Sequence, residues 1–138
     1  MADTVVTGAP MRRPTIIISE SEHDILVGLA TRSARRHPEA ARLLMEEADR
    51  ADLVPATRLP RDVVALGSSV VFADESTGVT RSVQLVLPPE ADIGQGRISI
   101  LSLVGAGLIG LQAGQAIDWP TQDGTLRRLT VLSVEPGC

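Results

Sequence analysis

The pattern of apolar positions divides the chain into a helical first part and a stranded second part. After Ser19, apolar side chains recur at the spacing of one helix face, with Ile25, Leu26 and Leu29 on one stripe. Ser19 and Glu22 have the spacing of a capping box, in which an N-cap serine is followed three residues later by a glutamate. The pattern therefore predicts a first helix that ends near residue 30.

A second helix is predicted after a polar turn. Pro38 suits the first turn of a helix, where a missing N–H costs nothing, and Leu43 and Leu44 continue at helical spacing to about Ala51. Two short helices joined by a turn form an antiparallel helical hairpin, which we place at residues 14–54. Residues 1–13 show no hydrophobic period, and we expect them to form a flexible N-terminus.

Beyond residue 60 the pattern changes to the alternation that is typical of strands. Residues 55–60 contain two prolines and are expected to form a linker. Val83, Leu85 and Leu87 share one face of a predicted strand, with polar residues on the other face. Further elements are predicted as strands at 70–73, 97–101, 116–119 and 126–134, a hairpin turn at Asp123-Gly124 and one short helix at 102–111. The fold class is therefore α+β, with a mostly antiparallel sheet domain over residues 61–138.

Composition and charge exclude several classes of function. The 13 basic residues are all arginines, and the sequence has 17 acidic residues. Acidic residues outnumber arginines in both halves of the chain, so neither half is basic enough to hold nucleic acid through its phosphates. Phe72 and Trp119 are the aromatic residues of the whole sequence, too few to stack single-stranded bases. We expect a protein partner and no direct binding of nucleic acid.

The same composition predicts a cytoplasmic protein that does not bind membranes. The most apolar stretch, residues 98–111, is too short and too rich in glycine to span a bilayer, and the start of the chain lacks the pattern of a signal peptide. Cys138 is the single cysteine, which excludes an intrachain disulfide.

No residue set predicts an enzyme, a metal site or a cofactor. Gly105, Gly107 and Gly110 match the G-x-G-x-x-G pattern of dinucleotide-binding turns, but too few residues follow them to build a doubly wound sheet. Glycines that allow tight packing of a helix on the sheet are the better interpretation. His23 and His37 both lie in the helical part, so the serines of the sheet domain have no histidine nearby to act as a base. The two histidines also lack further ligands at the spacing that a metal site requires.

The second half of the chain carries glycines, turn acids and strand residues in a specific order. In sequence they are Val70-Val71-Phe72, Asp74, Thr77-Gly78, Pro89-Glu90-Ala91-Asp92, Gly96-Arg97-Ile98-Ser99-Ile100, Ser102, Leu108-Ile109-Gly110, Gly114 and Ile117. This series resembles the C-terminal domain of the bacterial Gre transcript-cleavage factors. The resemblance implies an FKBP-like domain, docking at the rim of the RNA polymerase secondary channel and an effect on transcription elongation.

Three further segments, all before residue 65, indicate which relatives of the Gre factors this chain resembles. They are Arg13-Pro14-Thr15-Ile16-Ile17-Ile18, Glu47-Ala48-Asp49-Arg50-Ala51 and Leu59-Pro60-Arg61-Asp62-Val63-Val64. They resemble the regulators of nucleoside diphosphate kinase, which are short-armed relatives of the Gre factors. RNA polymerase is the partner that this resemblance implies, and nucleoside diphosphate kinase is the alternative target.

The resemblance also implies which residues meet the polymerase. The docking segment of the Gre family maps onto Leu101, Ser102 and Leu103, and a proline usually stands where this chain has Leu103. We call Leu101, Ser102 and Leu103 the docking segment.

The tip of the predicted hairpin departs from the Gre pattern. Gre factors carry acidic residues at the tip of a long coiled coil, where they help to hold a catalytic Mg²⁺. Here the tip offers Arg32, Arg35 and Arg36, and a guanidinium cannot bind a cation that requires oxygen ligands. We therefore expect no stimulation of transcript cleavage, and an action by competition with longer-armed factors.

Overall fold

The computed structural model describes residues 13–120 and 124–137, and it confirms the α+β class. In chain order its elements are β1 (Ile17–Ser19), α1 (Glu20–Ser33), α2 (Pro38–Arg50), β2 (Asp52–Val54), β3 (Ser69–Asp74), β4 (Val79–Val86), β5 (Arg97–Ser99), α3 (Leu103–Leu108), β6 (Ala116–Pro120) and β7 (Leu126–Glu135). Single 3₁₀ turns lie at Ala56–Arg58, Pro88–Glu90 and Ile93–Gln95.

Helix α1 begins as predicted, but only half of the capping box forms. The hydroxyl oxygen of Ser19 accepts a hydrogen bond from the N–H of Glu22 at 3.2 Å. The carboxylate of Glu22 does not return to Ser19, because Ser19 is also the last residue of β1 and pairs with Val54. Glu22 instead accepts from the backbone N–H of Leu66, in the loop before β3. Glu22 therefore connects the first helix to the sheet domain.

Two short strands flank the two helices of the first part and form a parallel pair that the sequence pattern did not predict. Strand β1 pairs with β2, with Ile17 opposite Asp52. Helices α1 and α2 pack against each other and form the connection between these strands. We call α1, α2 and the turn at 34–37 the arm.

The arm differs in its bounds from the predicted hairpin. Helix α1 continues to Ser33, three residues beyond the predicted end, and the Thr31 hydroxyl donates to the carbonyl of Val27 inside its last turn. Arg32 therefore lies on the helix, whereas Arg35 and Arg36 lie in the turn.

The larger sheet has the strand order β5-β4-β3-β7-β6. Its pairs are antiparallel except β4 with β5, and β3 meets β7 with a register shift between Val71 and Phe72. Strands β6 and β7 pair from Pro120 opposite Leu126. Of the predicted Asp123-Gly124 turn, Asp123 lies outside the described residues, and Gly124 has a positive φ of 83°.

One hydrophobic core joins the arm to the sheet. In β4, Val83 and Leu85 are buried as the alternation predicts, and Ser82 is exposed. The same cluster holds Leu26 and Leu44 of the arm together with residues of the sheet. Burial of apolar surface contributes roughly 25 cal/mol per Å², so this shared core stabilises the packing of the arm on the sheet.

Candidate docking site

The docking segment lies at the turn between β5 and α3. Leu101 is buried, and Ser102 is the N-cap of α3. The Ser102 hydroxyl donates to the carbonyl of Ser99 at 2.7 Å and accepts from the N–H of Gly105 at 3.0 Å. Leu103 is half-buried and is the first residue of the helix. The backbone of this segment is therefore held by hydrogen bonds on both sides of Ser102.

Trp119 of β6 holds the segment from the sheet side. Its indole N–H donates to the carbonyl oxygen of Leu103 at 2.6 Å, and the side chain is fully buried. A buried indole requires a partner for its N–H, and the carbonyl of Leu103 satisfies it. The hydrogen bond fixes the first turn of α3 relative to β6.

The glycines of α3 make this close approach possible. A Cβ atom on Gly107 would lie 2.8 Å from two carbons of the Trp119 ring, and one on Gly105 would overlap the carbonyl of Ser99. The helix ends at Leu108, earlier than predicted, because Gly110 turns the chain with a φ of 80°. The structure thus confirms that these glycines allow tight packing.

Arg13 links the arm to Trp119. Its guanidinium carbon lies 5.4 Å from the centre of the Trp119 ring, within cation–π distance. The same group donates to the carboxylates of Glu46 at 3.1 Å and Glu47 at 3.3 Å on α2. The sequence pattern placed Arg13 at the end of a flexible terminus, but these contacts hold it between α2 and β6.

The acidic side chains beneath Arg13 are strongly paired. Glu47 is fully buried and receives two hydrogen bonds of 2.8 Å from Arg50. Burial alone would raise the pKa of Glu46, but the hydrogen bonds and charges of Arg13 and Arg42 outweigh this effect and lower that pKa. The hydrogen bonds from the arginines compensate for the desolvation of these carboxylates, so the position of the Arg13 guanidinium is fixed.

A cleft of about 590 Å³ opens beside the docking segment. Its walls are mainly apolar and include Phe72, Val83, Ile93, Ile98, Leu103, Val104, Trp119 and Leu129. Ile93 is 81% exposed at the rim, which is unusual for so large an apolar side chain. A cleft of this composition suits an apolar side chain of a protein partner.

Three charged side chains stand among these apolar walls. Arg127 donates to Asp74 at 3.0 Å, and Arg81 lies on the neighbouring strand β4. The hydroxyl of Ser76 is the main cause that lowers the pKa of Asp74, and Arg127 lowers it further against the effect of burial. Asp74 is therefore a carboxylate near neutral pH, and the cleft combines apolar surface with fixed charge.

The tip of the arm is basic. Arg32, Arg35 and Arg36 are exposed, and within residues 13–120 and 124–137 none of them forms an ion pair. None of these three arginines lines the cleft beside the docking segment, so the structure does not bring the tip and the cleft together into one site. In the same residues, no cluster of three histidine, cysteine or acidic side chains is arranged to hold a metal ion. None of the described helices has the length and apolar character needed to cross a membrane.

Residues 59–136 match the family model of the C-terminal part of transcription elongation factor GreA/GreB. The chain is 34% identical to the regulator of nucleoside diphosphate kinase of Escherichia coli (strain K12), over 91% of this chain and 92% of that protein. It is 42% identical to transcription elongation factor GreA of Mesorhizobium japonicum over 50% of this chain and 44% of GreA. A solved prokaryotic transcription elongation factor GreA/GreB from Nitrosomonas europaea superimposes with a TM-score of 0.68 at 32% identity, covering 89% of this chain and 99% of that one. By their names, these relatives are a regulator and transcription elongation factors.

Proposed function

Because this chain belongs to the GreA/GreB family of transcription elongation factors, we propose that it regulates transcription by binding RNA polymerase at the rim of the secondary channel. The observation that carries the proposal is the position of the docking segment, whose Leu103 lines the apolar cleft. An apolar side chain of the polymerase would fill the cleft, and the fixed charges around Asp74 and Arg127 would orient it.

The arm determines what the bound protein does. Helix α1 has 14 residues, which at 1.5 Å per residue gives a reach of about 21 Å. Its tip carries arginines, and Mg²⁺ requires oxygen ligands such as carboxylates. The bound protein therefore occupies the place of a longer-armed Gre factor without stimulating transcript cleavage, and its mechanism is competition.

The sheet domain is the part that docks. We propose that residues 61–138 form an FKBP-like domain and that residues 14–54 form the helical hairpin. The curled sheet and the packing of α3 against β6 support the first assignment, and the packing of α1 against α2 supports the second.

Binding to purified core RNA polymerase tests the proposal. The wild-type chain should bind at micromolar concentration and be displaced by a Gre factor. Leu103→Asp places a charge in the cleft and should weaken binding at least about tenfold, a loss of about 1.4 kcal/mol. Leu53→Asp, at an exposed leucine on β2, is the matched control and should bind as the wild type does. Absence of binding by the wild type would exclude the proposal.

A second function is favoured by the name of the Escherichia coli relative. Regulation of nucleoside diphosphate kinase by direct contact would require no transcription. The activity of purified kinase, measured with and without this chain in the absence of polymerase, separates the two functions. A change of kinase activity there would support the second function, and an unchanged activity would exclude it.

A further inference from the structure

We infer that Arg13 and Trp119 are positioning residues, which hold the docking segment in a fixed relation to helix α2. The inference rests on the proposed function only in assigning docking to Leu103. Its structural basis is a continuous series of contacts from α2 through Arg13 to the indole ring, and from the indole N–H to Leu103.

The first link is the set of contacts that holds the Arg13 guanidinium. Its guanidinium lies between the Trp119 ring and the carboxylates of Glu46 and Glu47. Glu47 is fully buried and Arg50 pairs with it, so α2 presents a fixed acceptor to Arg13. A cation that is held against a ring in a partly desolvated place interacts more strongly with it than an exposed cation does. Arg13 thereby restrains the ring as well as the helix.

The second link is the hydrogen bond from the indole to Leu103. A proline, the residue that the family resemblance leads us to expect at this position, would fix the backbone φ by its ring. Leu103 lacks that restraint, and the 2.6 Å hydrogen bond from Trp119 supplies another one from outside the segment. Because the ring also lies against Gly107, a displacement of Trp119 would disturb α3 at both its first residue and its last turn.

The sequence offers a direct probe, since Trp119 is its only tryptophan and gives a single indole N–H signal in an NMR spectrum. The variants are Arg13→Gln, which removes the cation, Arg13→Lys, which keeps it, and Arg58→Gln, which makes the same change of charge at an exposed arginine. For each, we would measure hydrogen exchange of the indole N–H, hydrogen exchange of the buried Leu85 amide, and affinity for core polymerase.

We expect R13Q to accelerate indole exchange at least about tenfold while the Leu85 amide is unchanged, because local opening does not require global unfolding. Its affinity for polymerase should fall about fivefold, in line with the loss of one cation–π contact. R13K keeps the cation, so its indole exchange rate and its affinity for polymerase should both be close to those of the wild type. R58Q should resemble the wild type in both measurements.

Two results would overturn the inference. One is an R13Q indole that exchanges at the wild-type rate. The other is equal acceleration at the indole and at Leu85, which would show simple destabilisation. If the wild-type chain did not bind polymerase, the docking proposal would fail, and the exchange rates would still decide the positioning role.

Discussion

Glu22 accepts hydrogen bonds from the backbone N–H of Leu66 at both carboxylate oxygens, at 3.3 and 3.2 Å, so the first turn of α1 is tied to the loop before β3. Burial raises the pKa of Glu22 above its usual 4.5, and the bond from Leu66 only partly opposes this. Since the folded-state pKa is raised, the folded protein binds this proton more tightly than the unfolded chain does. The stabilising contribution of Glu22 is therefore complete below pH 4.5 and is lost as pH rises through the folded pKa.

Glu22→Gln should remove this pH dependence, because a glutamine accepts from Leu66 without carrying a charge. The free energy of unfolding of E22Q relative to wild type should increase between about pH 4 and about pH 7.5, as measured by urea denaturation at each pH. Glu20→Gln changes the same charge at an exposed position of the same helical turn and is the matched control. A relative stability of E22Q that falls with rising pH would contradict the assignment.

Ser76→Ala should raise the pKa of Asp74 toward 3.8, because the Ser76 hydroxyl, 2.6 Å away, is the main cause of its depression. A depressed carboxyl pKa stabilises the fold above the unfolded pKa, and that stability is lost as pH falls through the folded pKa. Titration of the Asp74 carboxyl carbon by NMR measures the shift. Ser133→Ala, on the exposed side of β7, should leave the titration of Asp74 unchanged.

Alanine at two helical glycines should have opposite effects. Gly107→Ala places a methyl group 2.8 Å from buried ring carbons of Trp119, and overpacking of this kind costs about 1–3 kcal/mol. Gly28→Ala on α1 meets only the end of the flexible Arg32 side chain, at 3.1 Å, and should stabilise the helix by roughly 0.5–1 kcal/mol. Thermal and urea unfolding of the two variants would show this, and an equal destabilisation of both would refute the packing argument.

Leu103→Pro should be tolerated, since position 103 is the first residue of α3, where a proline removes no helical hydrogen bond. The rigid ring should stabilise the protein by about 0.4–1 kcal/mol, because it restricts the unfolded chain. Ala106→Pro removes the hydrogen bond from Ala106 to the carbonyl of Ser102 and should cost about 3 kcal/mol or more. If L103P were as destabilised as A106P, the docking segment would need the conformational freedom of leucine.

The fold was predictable where a local pattern dictated the structure. The alternation of Val83 and Leu85 predicted β4, and the spacing of Ser19 predicted the start of α1. The pairing of β1 with β2 was not predictable, because three-residue strands are too short to show a period and their partners lie on either side of two helices.

The site was less accessible to prediction from sequence. The docking segment followed from resemblance, but the cleft forms only where strands and α3 converge, which no linear pattern encodes. No sequence pattern indicated the contacts of Arg13, since its partners are Glu46, Glu47 and Trp119, all far along the chain. A polar residue next to a terminus shows its role only when tertiary contacts are known.

The burial of Leu26 and Leu44 in the same cluster as Phe72 has a mechanical consequence. To swing the arm relative to the cleft, the protein would have to expose apolar side chains to water. For a partner bound at Leu103, Arg35 and Arg36 of the turn would therefore lie at a fixed distance and in a fixed direction. Lengthening the turn at 34–37 should therefore change the reach of the arm without changing the packing of its base on the sheet.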